Sequence, residues 1–257
     1  MGTEVLERRF ALLGARLKLT EEPSLRTPRL DVGTDARGEF FDIRIGRNVE
    51  LEVVDARPRD RHLLLLARTG GTKSKFLCGH DERHWFVAAI PEAALGVTGV
   101  ASAKAALQPE AVRLQVARKR PKDAFRRRKA AYVRQGEWFF VPAPDVDPPQ
   151  SLVLRDEPLT RGRGKPHVMQ VAFRRGGRTV YVNWRNPTGI SEAGFARLTP
   201  SERRTGRWTP MVRDPEVFAK GAVRHSDHAT VNLAGWHRVL MNTEHAARAM
   251  RHVAFLD

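Results

Sequence analysis

KFLCGHDERHWFVAAIP, residues 75–91, consists of two apolar, β-prone runs joined by a short polar bend. Such a pattern predicts a β-hairpin, with His80, Asp81, Glu82 and His84 at its tip. The sequence before it repeats the theme. HLLLLA (62–67) is a continuous apolar run, the composition of a strand covered on both faces. Val49, Leu51 and Val53 alternate with Glu50 and Glu52, the period of two of a half-buried strand. GEFFDIRI (38–45) places Phe41, Ile43 and Ile45 on one face. Further out, residues 4–18 carry Leu6, Phe10, Leu13 and Leu17 at spacings of three and four behind a Thr3 N-cap, which predicts a short amphipathic helix. The polar, proline-containing segment through Arg37 reads as a connector.

On the other side of the hairpin the character changes. GVASAKAALQ and PEAVRLQVARKR, within residues 99–131, predict helix, and Pro121 suits the first position of another. Residues 132–142 predict a second hairpin with Gln135 and Gly136 near its turn. PAPDVDPPQ (142–150) is the candidate linker, because its prolines forbid a regular ladder or helix. Beyond it come a strand over 178–184, a short helix near 191–198, a hairpin over 219–242 with His225 and His228 at the bend, and a last helix capped by Thr243. The expected fold class is α+β and β-rich, hairpins and meanders with short flanking helices, in two lobes. The expected division is an N-terminal domain over 1–141, a linker over 142–150 and a C-terminal domain over 151–257.

Composition narrows the function classes. With 41% hydrophobic and 29% charged residues in 257, the chain has the balance of a globular protein. Cys78 is the single cysteine, which excludes an intrachain disulfide and a cysteine-rich zinc module. No apolar run approaches the ~18–20 residues of a membrane span, and the N-terminus lacks the apolar core of a secretory signal. No membrane partner is expected, and a cytoplasmic setting is the default. Walker, GxSxG, HExxH and dinucleotide fingerprints do not occur.

Positive charge is concentrated. Residues 118–134 hold nine Lys/Arg against Asp123, and residues 155–178 hold seven against Asp156 and Glu157, so most of the formal net charge of +16 lies in two stretches. Clustered charge of one sign repels itself, which points to a polyanionic partner, with a phosphate backbone the first choice. The residues expected to contact it are Arg118, Lys119, Arg120, Lys122, Arg126, Arg127, Arg128, Lys129 and Arg134 from the first stretch. From the second they are Arg161, Arg163, Lys165, His167, Arg174, Arg175 and Arg178. The GRGKPH segment (162–167) has the glycines and cations of a phosphate-contact loop. Trp138 and Tyr181, next to the two stretches, are expected to stack on unpaired bases.

Histidine is the second signal. His80 and His84 occupy one hairpin tip, His225 and His228 another, with Asp81, Glu82 and Asp227 beside them. Imidazole serves as a general acid or base near neutral pH, or as a ligand for a divalent transition metal. No cofactor is fixed by the sequence, and a divalent metal is compatible with it. The leading expectation is a nucleic-acid-binding protein, with RNA or another single strand favoured, since no helix-turn-helix signature suggests duplex reading. The alternatives are a phosphodiesterase or nuclease using His80, His84, His225 and His228, which would require the four to converge, and a structural subunit of a larger nucleoprotein assembly.

Overall fold

The computed structural model describes residues 3–116, 125, 128, 129, 131–161 and 165–247. The fold is α+β and rich in strand, with short helices and several sheets. Helix α1 (Thr3–Ala11) buries Leu6 and Phe10. It ends earlier than its apolar spacing predicts, because Gly14 turns the chain at φ +76° and the Ala15 N–H bonds back to the Phe10 carbonyl. A left-handed glycine of this kind closes helices because it carries no Cβ to clash. The expected connector up to Arg37 is mostly strand. β1 (Leu17–Glu21) runs parallel to β3 (Gly38–Ile45), and β2 (Arg29–Asp35) pairs antiparallel on its other side.

The next four strands form an antiparallel meander: β4 (Val49–Arg57), β5 (His62–Thr69), β6 (Thr72–Asp81) and β7 (His84–Ile90). β5 is covered on both faces, as its composition predicts. Leu63 and Leu65 pack with Phe10, Phe41, Ile43, Phe76 and Trp85, while Leu64 packs with Val100 and Ala103 of helix α2 (Val100–Ala106). The alternating side chains of one strand thus hold two apolar layers together. Helix α3 (Glu110–Val116) follows. The helix expected from Pro121 falls largely outside the described residues, and at its far end Arg128 and Lys129 instead form the short strand β8 (Arg128–Lys129).

A seven-stranded sheet holds the rest of the core. Its order is β11 (Leu154–Leu159), β12 (His167–Arg175), β16 (Glu216–Arg224), β17 (Val231–Met241), β10 (Trp138–Pro142), β9 (Tyr132–Gln135) and β8. Strands from both sides of residues 142–150 share this sheet, since β10 pairs with β17 from Trp138↔Met241 to Pro142↔His237. The proline segment therefore bridges strands of one sheet. Phe140 faces the cluster of Met169, Ala219 and Val239, and Phe139 faces that of Val112, Tyr132 and Val141, so these adjacent residues feed opposite faces.

Between β12 and β16 lies a small sheet, β14 (Ile190–Ser191), β13 (Arg178–Val182) and β15 (Thr209–Arg213), with helices α4 (Glu192–Ala196) and α5 (Pro200–Thr205). The expected terminal helix appears, among the described residues, as a single 3-10 turn over Thr243–Ala246. No described helix is long and apolar enough to cross a membrane.

Candidate metal centre in the central cavity

A cavity of about 850 Å³ lies between the meander and the seven-stranded sheet. Its wall includes His80, His84 and Glu39 from the first half of the chain, and Arg134, Gly136, Glu137, Lys165, His225 and His228 from the second sheet and its loops. His167, the first residue of β12, stands beside this wall at 3% exposure. Antiparallel pairing of β12 with β16, Val168↔Arg224, brings the start of β12 against the loop that follows β16. That loop carries His225 and His228.

The three imidazoles stack. Ring centroids of His167 and His225 are 4.1 Å apart, those of His225 and His228 4.8 Å, and those of His167 and His228 5.6 Å. One ring nitrogen from each lies within 4.8 Å of the others. Zinc nitrogens at ~2.0–2.1 Å in tetrahedral geometry stand ~3.4 Å apart, so side-chain rotations of about an ångström would close the set on an ion.

Each ring is held by a definite partner. Gln135, fully buried at the end of β9, donates its amide to the carbonyls of Val223 (3.2 Å) and Ala229 (2.8 Å). Its Oε1 must then face His167 Nδ1, 2.9 Å away, and accept that proton. The lone pair of His167 is left on Nε2, where the Glu137 carboxylate lies 3.9 Å away. Burial, reinforced by His225 and His228, pushes the His167 pKa down to about 3, so this ring is neutral at physiological pH. Glu82, at the β6–β7 tip, accepts the Ala229 N–H at 3.0 Å and places its carboxylate 3.5 Å from His228 Nδ1. A carboxylate or amide behind an imidazole fixes its tautomer and raises its basicity as a ligand. His225 accepts the Asp227 N–H on Nδ1 at 3.1 Å, and its Nε2 makes a long 3.3 Å contact with the Lys165 carbonyl. Binding an ion at either nitrogen displaces one of these contacts.

Gly136 makes the crowding feasible. It occupies the first position of the two-residue β9–β10 turn at φ +56°, and a Cβ there would lie 3.0 Å from His228 Nε2 and 3.3 Å from His167 Cε1. Cations complete the rim. Arg134 bonds the Gly136 carbonyl at 2.7 Å and reaches Asp81 at 3.5 Å, while Lys165 pairs with Asp227 at 2.8 Å and holds that carboxyl below its usual range.

No known protein family, curated protein or solved structure matches this chain.

Of the four histidines expected to act together, the structure brings His225 and His228 into the cluster with His167, a residue expected only to touch phosphate. His80 and His84 line the same cavity. The His80 ring packs on Trp85, and His84 Nδ1 lies 2.5 Å from Glu39 Oε1. The spacing of 58 residues between His167 and His225 carries no local signal. The one sequence cue was the polar QGE turn between two apolar strands.

The basic stretches fare differently from one another. Arg118, Lys119, Arg120, Lys122, Arg126, Arg127 and Arg163, and the side chains of Arg128 and Lys129, lie outside the described residues. In the second stretch the described cations other than Arg155 each have a carboxylate partner. Arg161 meets Glu244 (3.1 Å), Arg174 meets Glu157, Arg175 meets Glu216 and Arg178 meets Asp214, the last three at 2.8 Å. Trp138 is a correction. It is 8% exposed, with its ring edge toward His167, and offers no open face to a base. Tyr181 is covered on one face by Phe195, at 3.8 Å and 8° between planes.

Proposed function

We propose that the cavity is the active site of a histidine-based phosphodiesterase in which His167, His225 and His228 hold a divalent transition metal. The observation that carries this reading is the set of three imidazoles, one nearly inaccessible and forced neutral, with ligand atoms within 4.8 Å. Neutral imidazole is the ligand form of histidine, and such an ion acts as a Lewis acid and lowers the pKa of bound water. Arg134 and Lys165 supply positive charge against the non-bridging oxygens of a phosphodiester. Water attacks phosphorus, forming one P–O bond as the bond to the leaving oxygen breaks. Glu137 would take the proton of the attacking water, and the leaving oxygen would take one from the Lys165 ammonium.

The formal charge of +16 supports a nucleic acid as the source of the phosphodiester, in the cytoplasmic setting that the sequence suggests. Binding without turnover, alone or inside a nucleoprotein assembly, draws on the same charge. It draws less on residues 155–178, where carboxylates already meet Arg161, Arg174, Arg175 and Arg178. The test is elemental analysis of purified protein, with hydrolysis of bis(4-nitrophenyl) phosphate and of a single-stranded oligonucleotide. One metal per chain is expected, with activity lost to a chelator, restored by zinc or manganese, and absent in His167→Ala and His228→Ala. Substoichiometric metal under all loading conditions, or cleavage that survives both substitutions, overturns the proposal.

A further inference from the structure

Among the described residues, unmatched arginine is also found beyond the two basic stretches. Residues 178–213, the small sheet and its two helices, hold seven arginines and two glutamates. Glu202 is engaged in a capping box with Thr199, accepting its backbone N–H at 2.8 Å. Arg178 pairs with Asp214, and Arg203 donates to the carbonyls of Leu198 and Ala196. Arg185, Arg197, Arg204, Arg207 and Arg213 have no carboxylate within 4 Å among the described residues. The described cations of 155–178 other than Arg155 have carboxylate partners, while most arginines of this unit have none.

The unit also presents an aromatic ring to solvent. Trp184 is 77% exposed, and the Arg185 guanidinium lies 4.7 Å from its ring centroid. Its backbone is pinned. Asn183 Oδ1 accepts the N–H groups of Arg185 (3.1 Å) and Asn186 (2.8 Å), and Asn183 Nδ2 donates to the Gly206 carbonyl at 3.0 Å, where α5 ends. Behind it Phe195 lies between Tyr181 and Trp208, edge-on to the latter at 5.8 Å. Val180 is the one residue of the unit in the buried class, so the layer is thin and its faces are open. Met211 and Val212 on β15 are also exposed.

We infer that this unit is a docking surface for a single-stranded polynucleotide, with Trp184 stacking on a base and Arg185, Arg197, Arg204 and Arg207 facing phosphates. Clustered arginines without carboxylates attract a polyanion, and an exposed ring beside them offers a flat face to an unpaired base; a single strand supplies both. The surface lies at the far end of the β12–β16 ladder from His167, eight residues or about 26 Å along the strand. Binding here is therefore independent of the histidine centre.

The experiment is fluorescence anisotropy of a labelled single-stranded 20-mer with full-length protein, wild type and His228→Ala, in the presence of a chelator so that neither cleaves the probe, alongside intrinsic tryptophan emission. Binding equal in both backgrounds is expected, with emission quenched on saturation. Trp184→Ala should weaken affinity about tenfold and remove most of the quench. The triple variant Arg197→Gln, Arg204→Gln, Arg207→Gln should make the log–log salt slope shallower by about 2. Affinity unchanged in both variants overturns the inference. So does equal affinity for heparin, an equivalent duplex or anionic phosphatidylserine vesicles, with no dependence on Trp184, which would mark a general cationic face. Circular dichroism of each variant separates lost binding from lost folding, and because binding is read in His228→Ala as well, failure of the phosphodiesterase proposal leaves this result interpretable.

Discussion

His167 illustrates how one buried side chain sets both stability and chemistry. Its pKa lies at about 3 in the folded protein, against about 6.5 for a free imidazole. The unfolded chain therefore takes up this proton first as pH falls. Stability from the buried neutral ring is complete above about pH 6.5 and is lost progressively toward pH 3. His62, drawn down to about 4 chiefly by burial, acts in the same direction. Each such group contributes a slope of up to about 1.4 kcal/mol per pH unit in that window. Urea denaturation between pH 7.5 and pH 4.5 should show stability falling with acid, and His167→Gln should flatten the slope. An unchanged slope would mean that the ring is solvated. Cys78 lies at the other extreme, fully buried, with its thiol pKa pushed up and no role in the site.

Among the elements, the β9–β10 hairpin matters most to the cavity. Its strand residues were legible: the apolar WFFV run and the QG pair announce two strands and a tight turn. The sequence does not reveal why the turn is QGE. Gln135 anchors His167, Gly136 makes room for two imidazoles, and Glu137 brings a carboxylate to them, all through partners 30 to 94 residues away in the chain. Gly136→Ala places a Cβ in a left-handed position against two rings. It should cost about 1–3 kcal/mol, seen as a lowered melting temperature, and should displace His228. A variant as stable as wild type would show that the rings move aside freely. The basic stretch over 174–178 taught the opposite lesson. Its arginines look unopposed along the chain, yet Glu157 on β11 and Glu216 on β16 stand across from them, and cross-strand neighbours neutralise charge that local counting leaves open.

At the scale of the whole molecule, the cavity exists because the meander and the seven-stranded sheet meet through a few polar contacts. Glu82 at the β6–β7 tip holds the Ala229 N–H and faces His228, and Asp81 reaches Arg134. Glu82→Ala should leave both sheets folded yet loosen the histidine loop, lowering affinity for zinc 10–100-fold by calorimetric titration. Affinity equal to wild type would remove Glu82 from the site. Strand positions, the doubly covered β5 and the histidine pair at the β16–β17 bend follow from periodicity and turn residues, which act over a few positions of chain. The addition of His167 to that pair, the burial of Trp138, the sheet shared across the proline segment and the arginines left unmatched in 178–213 depend on which strands pair and in what register. That choice is made by burying apolar faces between segments distant in sequence, and local composition does not encode it.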